Sequence, residues 1–298
     1  MPRARGGTPR VLITGASGGI GRAAARELLS RGWSVFGGVR REEDARKLRA
    51  ELGVGFTPVQ LEVTSPRSVR EAVEAVEASL GGANLDALVN CAGIIRLGPL
   101  ACLSCEALRE QLEVNLIGLF EVTRSFLPLL GAGRGGPPIA PGGPPPRIVN
   151  LSSTSGRLAM PFFGPYAASK HALEGLSDSL RRELLLYGIR VILIEPSIVR
   201  TPMVEKAVAQ AEAFRDTEWW PSVQTAARAA GLDRTAGVLP VERVVRVLLR
   251  ALTSPRPRAR YVVAGRPLLG WWLPRALPDQ VLDRILGRVL GLAPRKGA

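Results

Sequence analysis

Short apolar runs alternate along the chain with longer stretches in which apolar residues recur at helical spacing. The runs are the length of strands, and most end at glycine, proline, asparagine or serine. Seven of them predict strands: RVLIT, SVFGGV, FTPVQLEV, LDALVNCAG, RIVNLSS, RVILIEP and RYVVAG. Regular alternation of strand and helix predicts a parallel sheet covered by helices on both faces.

The stretches between the runs have the start and stop signals of helices. Ser65 precedes one of them as a candidate N-cap, and Gly81 follows it. Gly32 closes the first helix in the same way. The predicted helices are GRAAARELLSRG, EEDARKLRAEL, SPRSVREAVEAVEASLGG, CEALREQLEVNLIGLFEVTRSFLPLL, YAASKHALEGLSDSLRRELLLYG and VERVVRVLLRAL, of which the fourth and fifth are long.

Two segments depart from this alternation. Residues 131–146 are mostly glycine and proline and predict a disordered or mobile loop. The loop enters the fifth strand at its N-terminal end, whereas ligands of open α/β sheets bind at the carboxyl ends, so no catalytic role is expected. We predict one domain over residues 1–265 and a C-terminal extension over 266–298.

The extension contains an amphipathic helix. Such a helix more often packs on its own domain or on a second subunit, but it also suits peripheral membrane contact through residues 276–292. No apolar run approaches the ~20 residues that span a bilayer. The residues expected on one apolar face are Val281, Leu282, Ile285, Leu286, Val289 and Leu290.

The net charge of +14 comes almost entirely from arginine, since the chain has only four lysines. The basic residues are scattered, and no run is interleaved with aromatic residues. This favours a compositional bias over nucleic-acid binding. The basic N-terminus is followed by an apolar segment too short for a signal peptide, so we expect a cytoplasmic protein.

Three cysteines, an odd number, argue against a disulfide framework. Cys102 and Cys105 form a CxxC pair, but a metal site would need two more ligands, and only Cys91 and His171 remain. We therefore expect chance spacing of thiols and no metal.

The stretch VLITGASGGIG places a glycine-rich turn between the first strand and the first helix. Gly15, Gly19 and Gly21 allow a tight turn and close approach of a pyrophosphate to the helix N-terminus. The second strand ends at Val39, where NAD-binding proteins usually have an acidic residue, and Arg40 follows. An arginine there, with the Ser17 hydroxyl nearby, suits the 2′-phosphate of NADP.

In GPYAASKHALEG, Tyr166 and Lys170 are four residues apart and share one helix face. An ammonium near a phenol favours the phenolate and lowers the tyrosine pKa from about 10. The pair therefore suits acid/base chemistry near neutral pH. His171, the single histidine, is one residue off this face and is read as structural.

Several motifs in order resemble those of the short-chain dehydrogenase/reductase (SDR) family. They are TGASGGIG (family pattern TGxxxGxG), NCAG (NNAG), LEVNLIG with Asn115, NLSSTSG with Ser153, YAASK and EPSIVRT (PGxVxT). The resemblance covers Arg10 to Gly265 and implies a doubly wound Rossmann fold. It also implies a homodimer or homotetramer built through the two long helices.

Four catalytic roles are implied by the resemblance. Tyr166 exchanges a proton with the substrate oxygen, and Ser153 holds that oxygen. Lys170 binds the nicotinamide ribose and tunes Tyr166, while Asn115 positions a relay water. The implied cofactor-binding residues are Gly15, Ser17, Gly19, Ile20, Gly21, Arg40, Glu62, Val63, Asn90, Ala92, Gly93, Tyr166, Lys170, Pro196, Val199 and Thr201. Mild departures from the family patterns are Cys91, Ser197 and Glu62.

The loops after the fourth, fifth and sixth strands predict an apolar wall, which suits an apolar ketone or alcohol. Ser153, Tyr166, Ile95, Met160 and Phe163 are the expected substrate-binding residues. Further candidates for the wall are Ile94, Leu97, Leu158, Phe162, Met203, Trp219 and Trp220, with Arg96 and Arg200 as charged exceptions.

The stretch PFFGPYAASKHALEGLSDSLRREL looks most like the retinol and 17β-hydroxysteroid dehydrogenase branch of the family. It implies an NADP(H)-preferring oxidoreductase acting on CH–OH groups of steroid-, retinoid- or lipid-like substrates. Two alternatives are a catalytically vestigial NADP sensor and a membrane-surface interaction protein.

Overall fold

A computed structural model describes residues 7–133, 144–229, 238–265 and 271–292. Most of the predicted glycine- and proline-rich loop, residues 134–143, lies outside the described residues. No helix in the described part of the chain is long and apolar enough to cross a membrane.

The seven predicted strands form one parallel sheet, which confirms the predicted architecture. The spatial order is β3-β2-β1-β4-β5-β6-β7. The chain order reverses between β1 and β4, and this switch point opens a crevice at the carboxyl ends of the strands. The strands are β1 Arg10–Ile13, β2 Ser34–Val39, β3 Phe56–Gln60, β4 Ala87–Asn90, β5 Arg147–Leu151, β6 Arg190–Pro196 and β7 Arg260–Val263.

Both faces of the sheet are buried, which explains why its strands are nearly continuous apolar runs. Along β1, Val11 and Ile13 pack into one apolar cluster and Leu12 packs into the other. The alternation follows from the two-residue period of a strand. The two clusters hold the helices on opposite sides of the sheet and keep the carboxyl edge of the sheet rigid.

Helices cover both faces. All six predicted helices are present. Two further helices lie between β6 and the last of these six, in a segment that the sequence analysis left unassigned. The helices are α1 Gly19–Leu29, α2 Glu42–Leu52, α3 Pro66–Leu80, α4 Cys105–Leu112, α5 Leu119–Phe126, α6 Gly164–Glu183, α7 Pro202–Ala211, α8 Trp220–Ala229, α9 Val241–Thr253, α10 Leu273–Ala276 and α11 Asp279–Leu290.

The fourth predicted helix is not a continuous α-helix. Residues Glu113–Gly118 form a π-helical turn between α4 and α5. A Cβ on Gly118 would lie 2.7 Å from the Val63 carbonyl oxygen, so this turn packs directly against the end of β3. The π turn carries Asn115, and such bulges are frequent at functional sites.

Candidate active site

The glycine turn brings three backbone segments into contact at the crevice. Gly15 has φ 65°, and a Cβ there would lie 2.9 Å from the Ala92 Cα. A Cβ on Gly19 would lie 2.7 Å from the Thr201 Cγ2. No side chain caps the N-terminus of α1 at Gly18, and its first turn has no acidic residue. The open, positive helix end fits a pyrophosphate.

A cleft runs from this turn along the carboxyl ends of the strands. Gly21 was predicted to bind the cofactor, but it does not line the cleft; a Cβ there would lie 2.4 Å from the Gly15 carbonyl oxygen. This glycine allows the turn to pack on itself. The predicted cofactor residues that line the cleft are Gly15, Ser17, Gly19, Ile20, Arg40, Glu62, Val63, Ala92, Gly93 and Thr201, and further along it Tyr166, Lys170, Pro196 and Val199.

Asn90 was predicted to bind the cofactor, but its side chain lies in the interior. Its Nδ2 donates to Thr123 Oγ1 at 2.9 Å and to Asn150 Oδ1 at 2.8 Å. Asn90 therefore joins β4 to β5 and α5, and it supports the cleft from beneath.

Arg40 lies at the rim of the cleft beside Glu62. Their closest charged atoms, Arg40 Nη1 and Glu62 Oε2, are 3.8 Å apart. The Arg40 side chain is 66% exposed, so its guanidinium can turn toward a phosphate without losing a close partner. The rim of the cleft therefore carries both an exposed cation and a carboxylate.

The structure brings Tyr166, Lys170 and Ser153 together at the other end of the cleft. Tyr166 and Lys170 lie on α6, and the Lys170 Nζ is 5.7 Å from the centre of the Tyr166 ring. Ser153 follows β5 and lines the same part of the cleft, where its hydroxyl donates to the Pro196 carbonyl at 3.4 Å. The Ser153 Oγ also accepts a 3.1 Å hydrogen bond from the Ser155 N–H, which holds the hydroxyl in place.

Burial controls the protonation of both groups on α6. Burial raises the pKa of Tyr166 to about 12, and the opposing effect of the Ser153 hydroxyl offsets only part of this rise. This direction is opposite to the prediction from the Tyr-Lys spacing. The reason is the burial of the phenol, which outweighs any effect of the nearby ammonium. Lys170 Nζ itself donates to the Leu151 carbonyl at 2.7 Å, and burial lowers the Lys170 pKa to about 8. Tyr166 is a protonated phenol at neutral pH and is suited to donate a proton.

Asn115 uses its side chain to hold the segment after β4. Ile94 N–H donates to Asn115 Oδ1 at 2.8 Å, and Asn115 Nδ2 donates to the Ile94 carbonyl at 3.0 Å and to Ser169 Oγ at 3.2 Å. The fully buried Gln111 supports the same segment by donating to Ile94 O and accepting from Arg96 N–H. The sequence analysis did not identify Gln111. Its position four residues before Asn115, on one helix face, is the signal that would have identified it.

The apolar end of the cleft differs in part from the predicted wall. Ile94, Ile95, Leu97, Phe163 and Met203 line it, and Ile198, Val204 and Ala207 of the β6–α7 region complete it. The cavity at this end of the cleft has a volume of about 110 Å³. The residues expected there but absent from its lining are Leu158, Met160, Phe162, Trp219 and Trp220.

The backbone at Phe162 explains part of this difference. Phe162 has φ 70°, a left-handed conformation that costs a bulky residue about 1–3 kcal/mol. Its buried side chain packs with Ala211, Val223 and Leu290, away from the cleft that Phe163 lines. The left-handed backbone at Phe162 therefore accompanies a division in which the Phe162 side chain packs in the interior and the Phe163 side chain lines the cleft.

The charged residue Arg96, the single histidine and the three cysteines considered in the sequence analysis do not join the Ser153, Tyr166 and Lys170 cluster. Arg96 is paired with Glu110 through Nε at 2.9 Å, and His171 Nδ1 is 2.9 Å from the Ala167 carbonyl on the surface of α6. Cys102 and Cys105 are exposed free thiols, whereas Cys91 lies at the cleft, where burial raises its pKa to about 12. A protonated Cys91 thiol is a poor nucleophile.

Comparison with known proteins shows the family to which this fold belongs. The sequence profile described as short chain dehydrogenase matches residues 9–212, and the chain belongs to this family of oxidoreductases. It is 35% identical over 272 residues to the NADPH-dependent 3-dehydrocapnine reductase of Ornithobacterium rhinotracheale, covering 91% of this chain and 94% of that protein. It is 34% identical over 289 residues to retinol dehydrogenase 16 of Rattus norvegicus, covering 92% and 86%.

Solved structures of other proteins share the architecture of this chain. The actinorhodin polyketide ketoreductase with NADPH matches with a TM-score of 0.70 at 30% identity, covering 89% of this chain and 98% of that one.

Proposed function

We propose that this protein is an NADP(H)-dependent oxidoreductase that interconverts an apolar ketone or aldehyde with its alcohol. The observation that carries the proposal is that Ser153 and Tyr166 line the same apolar cleft where it adjoins the dinucleotide cleft. A hydroxyl and a phenol placed there can hold a single substrate oxygen between them. The NADPH-dependent relatives support the choice of cofactor.

The residues would act on the substrate oxygen in a fixed order. When bound, the nicotinamide supplies a hydride to the carbonyl carbon, or accepts one from the alcohol. Ser153 donates a hydrogen bond to the carbonyl oxygen and orients it. Tyr166 then gives its phenolic proton to the developing alkoxide, and Lys170 lies close enough to stabilise the resulting phenolate. In this role the ammonium acts on the phenolate formed during the reaction, since burial keeps the resting phenol protonated.

Other residues would hold the two reactants. The uncapped end of α1 receives the pyrophosphate, and Arg40 receives the 2′-phosphate. Asn115 and Gln111 fix residues 94–96, of which Ile94 lines both clefts and Ile95 lines the apolar one. The apolar lining excludes water and favours a steroid-, retinoid- or lipid-like substrate, in keeping with the retinol dehydrogenase relative.

Consumption of NADPH and NADH against a panel of apolar ketones and aldehydes tests the proposal. We expect turnover with NADPH, and a loss of about 10²–10⁴-fold in kcat for Tyr166→Phe, since proton transfer contributes on that order. Tyr187→Phe is the matched control, because Tyr187 lies beyond the end of α6 and is partly exposed. Tight NADPH binding with no turnover in either direction would instead favour the vestigial sensor.

A further inference from the structure

The two C-terminal helices expose large apolar side chains. Five of them, between 37% and 58% exposed, are together called the C-terminal apolar face, and the three on α11 share one side of that helix by their four-residue spacing. Its members are Trp272, Leu273, Val281, Ile285 and Val289. Scattered single apolar residues are normal on a protein surface, but a grouped set marks an interaction site.

The six apolar residues predicted on one face of α11 divide into two groups. Leu282 and Leu286 are partly buried, and Leu290 is fully buried against Val223 and Ala226 of α8. The Ser222 hydroxyl donates to the Gly291 carbonyl at 3.4 Å and adds a polar contact at the same end. Packing on the domain therefore uses the leucine side of the helix and leaves a second apolar side, with Val281, Ile285 and Val289, facing outward.

The charges around this outward side have one sign. Arg284 and Arg288 each precede an apolar residue of the face by one position, about 100° around the helix, so both flank it. Asp279 and Asp283 precede Val281 and Ile285 by two positions, about 200° around, so they lie on the far side. All four are exposed.

We propose that the C-terminal apolar face docks on the surface of a bilayer that contains anionic phospholipid. Valine, isoleucine and leucine would enter the acyl boundary, Trp272 would lie at headgroup level, and the arginines would contact lipid phosphates. Charge complementarity distinguishes this occupant from a second copy of the chain. A two-fold pairing of α11 on itself would bring the arginines of both copies together.

The docked face would lie close to the apolar cleft. Leu290 of α11 packs in the same cluster as Phe162, and the adjacent Phe163 lines the cleft. An apolar substrate dissolved in the bilayer would thus be near the cleft. The docking surface itself does not depend on the proposed reaction, and its test measures binding alone.

Co-sedimentation of the full-length protein with vesicles tests the proposal. The vesicles are phosphatidylcholine alone, or phosphatidylcholine mixed with phosphatidylglycerol. We expect binding to the mixed vesicles that weakens with added salt, and weaker binding to phosphatidylcholine alone. The double variant Ile285→Gln with Val289→Gln should lower the partition coefficient about tenfold or more. The control is Leu185→Gln with Leu186→Gln, two exposed leucines after α6, which should bind as the wild type does.

A second pair of variants separates charge from apolar contact. Arg284→Gln with Arg288→Gln should reduce the preference for mixed vesicles, while Arg46→Gln with Arg70→Gln, exposed on α2 and α3, should leave it unchanged. Failure of the wild type to bind either vesicle would overturn the proposal, as would equal binding by the Ile285/Val289 variant. A dimer in solution that this variant dissociates would also overturn it, because a second copy would then cover the face.

Discussion

The Asn115 side chain pairs with both backbone groups of Ile94, accepting from its N–H at 2.8 Å and donating to its carbonyl at 3.0 Å. The pairing joins the π turn between α4 and α5 to the segment that follows β4. That segment lines both the cofactor end and the substrate end of the cleft. The position of the wall therefore depends on one amide side chain and on its neighbour Gln111.

Loss of either amide should destabilise the protein. Asn115→Ala leaves the Ile94 N–H without its partner, and we expect the free energy of unfolding to fall by about 2–4 kcal/mol in urea titrations. Gln111→Ala does the same to the Arg96 N–H. Because both amides donate to the Ile94 carbonyl, the double variant should lose more than the sum of the two. Gln210→Ala, exposed on α7, serves as the control. Strict additivity would contradict the shared contact.

Cofactor preference should depend on Arg40. Arg40→Ser removes the cation at the rim of the cleft, and we expect NADPH affinity to fall about 10- to 100-fold while NADH affinity stays constant. Isothermal titration with both cofactors measures this. Arg41→Ser is a matched control, because Arg41 is the adjacent residue and is not in the cleft lining. An equal loss for NADH would show that Arg40 acts on the fold instead of on the phosphate.

NADPH binding should weaken at alkaline pH through Lys170. Burial lowers the pKa of Lys170 to about 8, so its ammonium is fully present below that pH and is lost above it. If the ammonium donates to the ribose, the dissociation constant should rise by up to about tenfold per pH unit above pH 8. Lys170→Met should bind weakly with no such slope, and Lys206→Met, exposed on α7, should keep the wild-type slope. The same slope in Lys170→Met would refute the assignment.

Stability should decrease as pH rises toward neutrality because of Glu195. Burial, and then the charge of Glu174, raise the pKa of Glu195 to about 7, although Arg260 Nε lies 3.4 Å from its Oε1. The folded state therefore holds a proton that the unfolded state releases near pH 4.5. The stabilising contribution is complete below that pH and is lost as pH rises through 7.

Glu195→Gln, which resembles the protonated form, should remove this slope and stabilise the protein at pH 8 by on the order of 2 kcal/mol. Thermal unfolding at several pH values between 4.5 and 8 measures it. Glu77→Gln, exposed on α3, should behave as the wild type does. A slope that persists in Glu195→Gln would assign the titration to another group.

Much of the fold follows from local patterns. The apolar runs match all seven strands, most clearly in the interior of the sheet, where a strand buried on both faces is almost continuously apolar. The glycine turn was evident because close backbone packing at Gly15 and Gly19 admits no Cβ. The spacing of Tyr166 and Lys170 was evident because residues four apart share a helix face.

Only the tertiary structure determined how deeply these side chains are buried and which groups they contact. The pKa of Tyr166 depends on burial, which the four-residue spacing does not report, and so its direction was predicted wrongly. Asn90 points to the interior, where it meets Thr123 of α5. Phe162 points away from the cleft, where it packs with residues of α8 and α11. Both partners come from distant parts of the chain, so local sequence does not reveal them. The same holds for the apolar residues of α11, whose periodicity predicts a single face but does not say which side the domain covers.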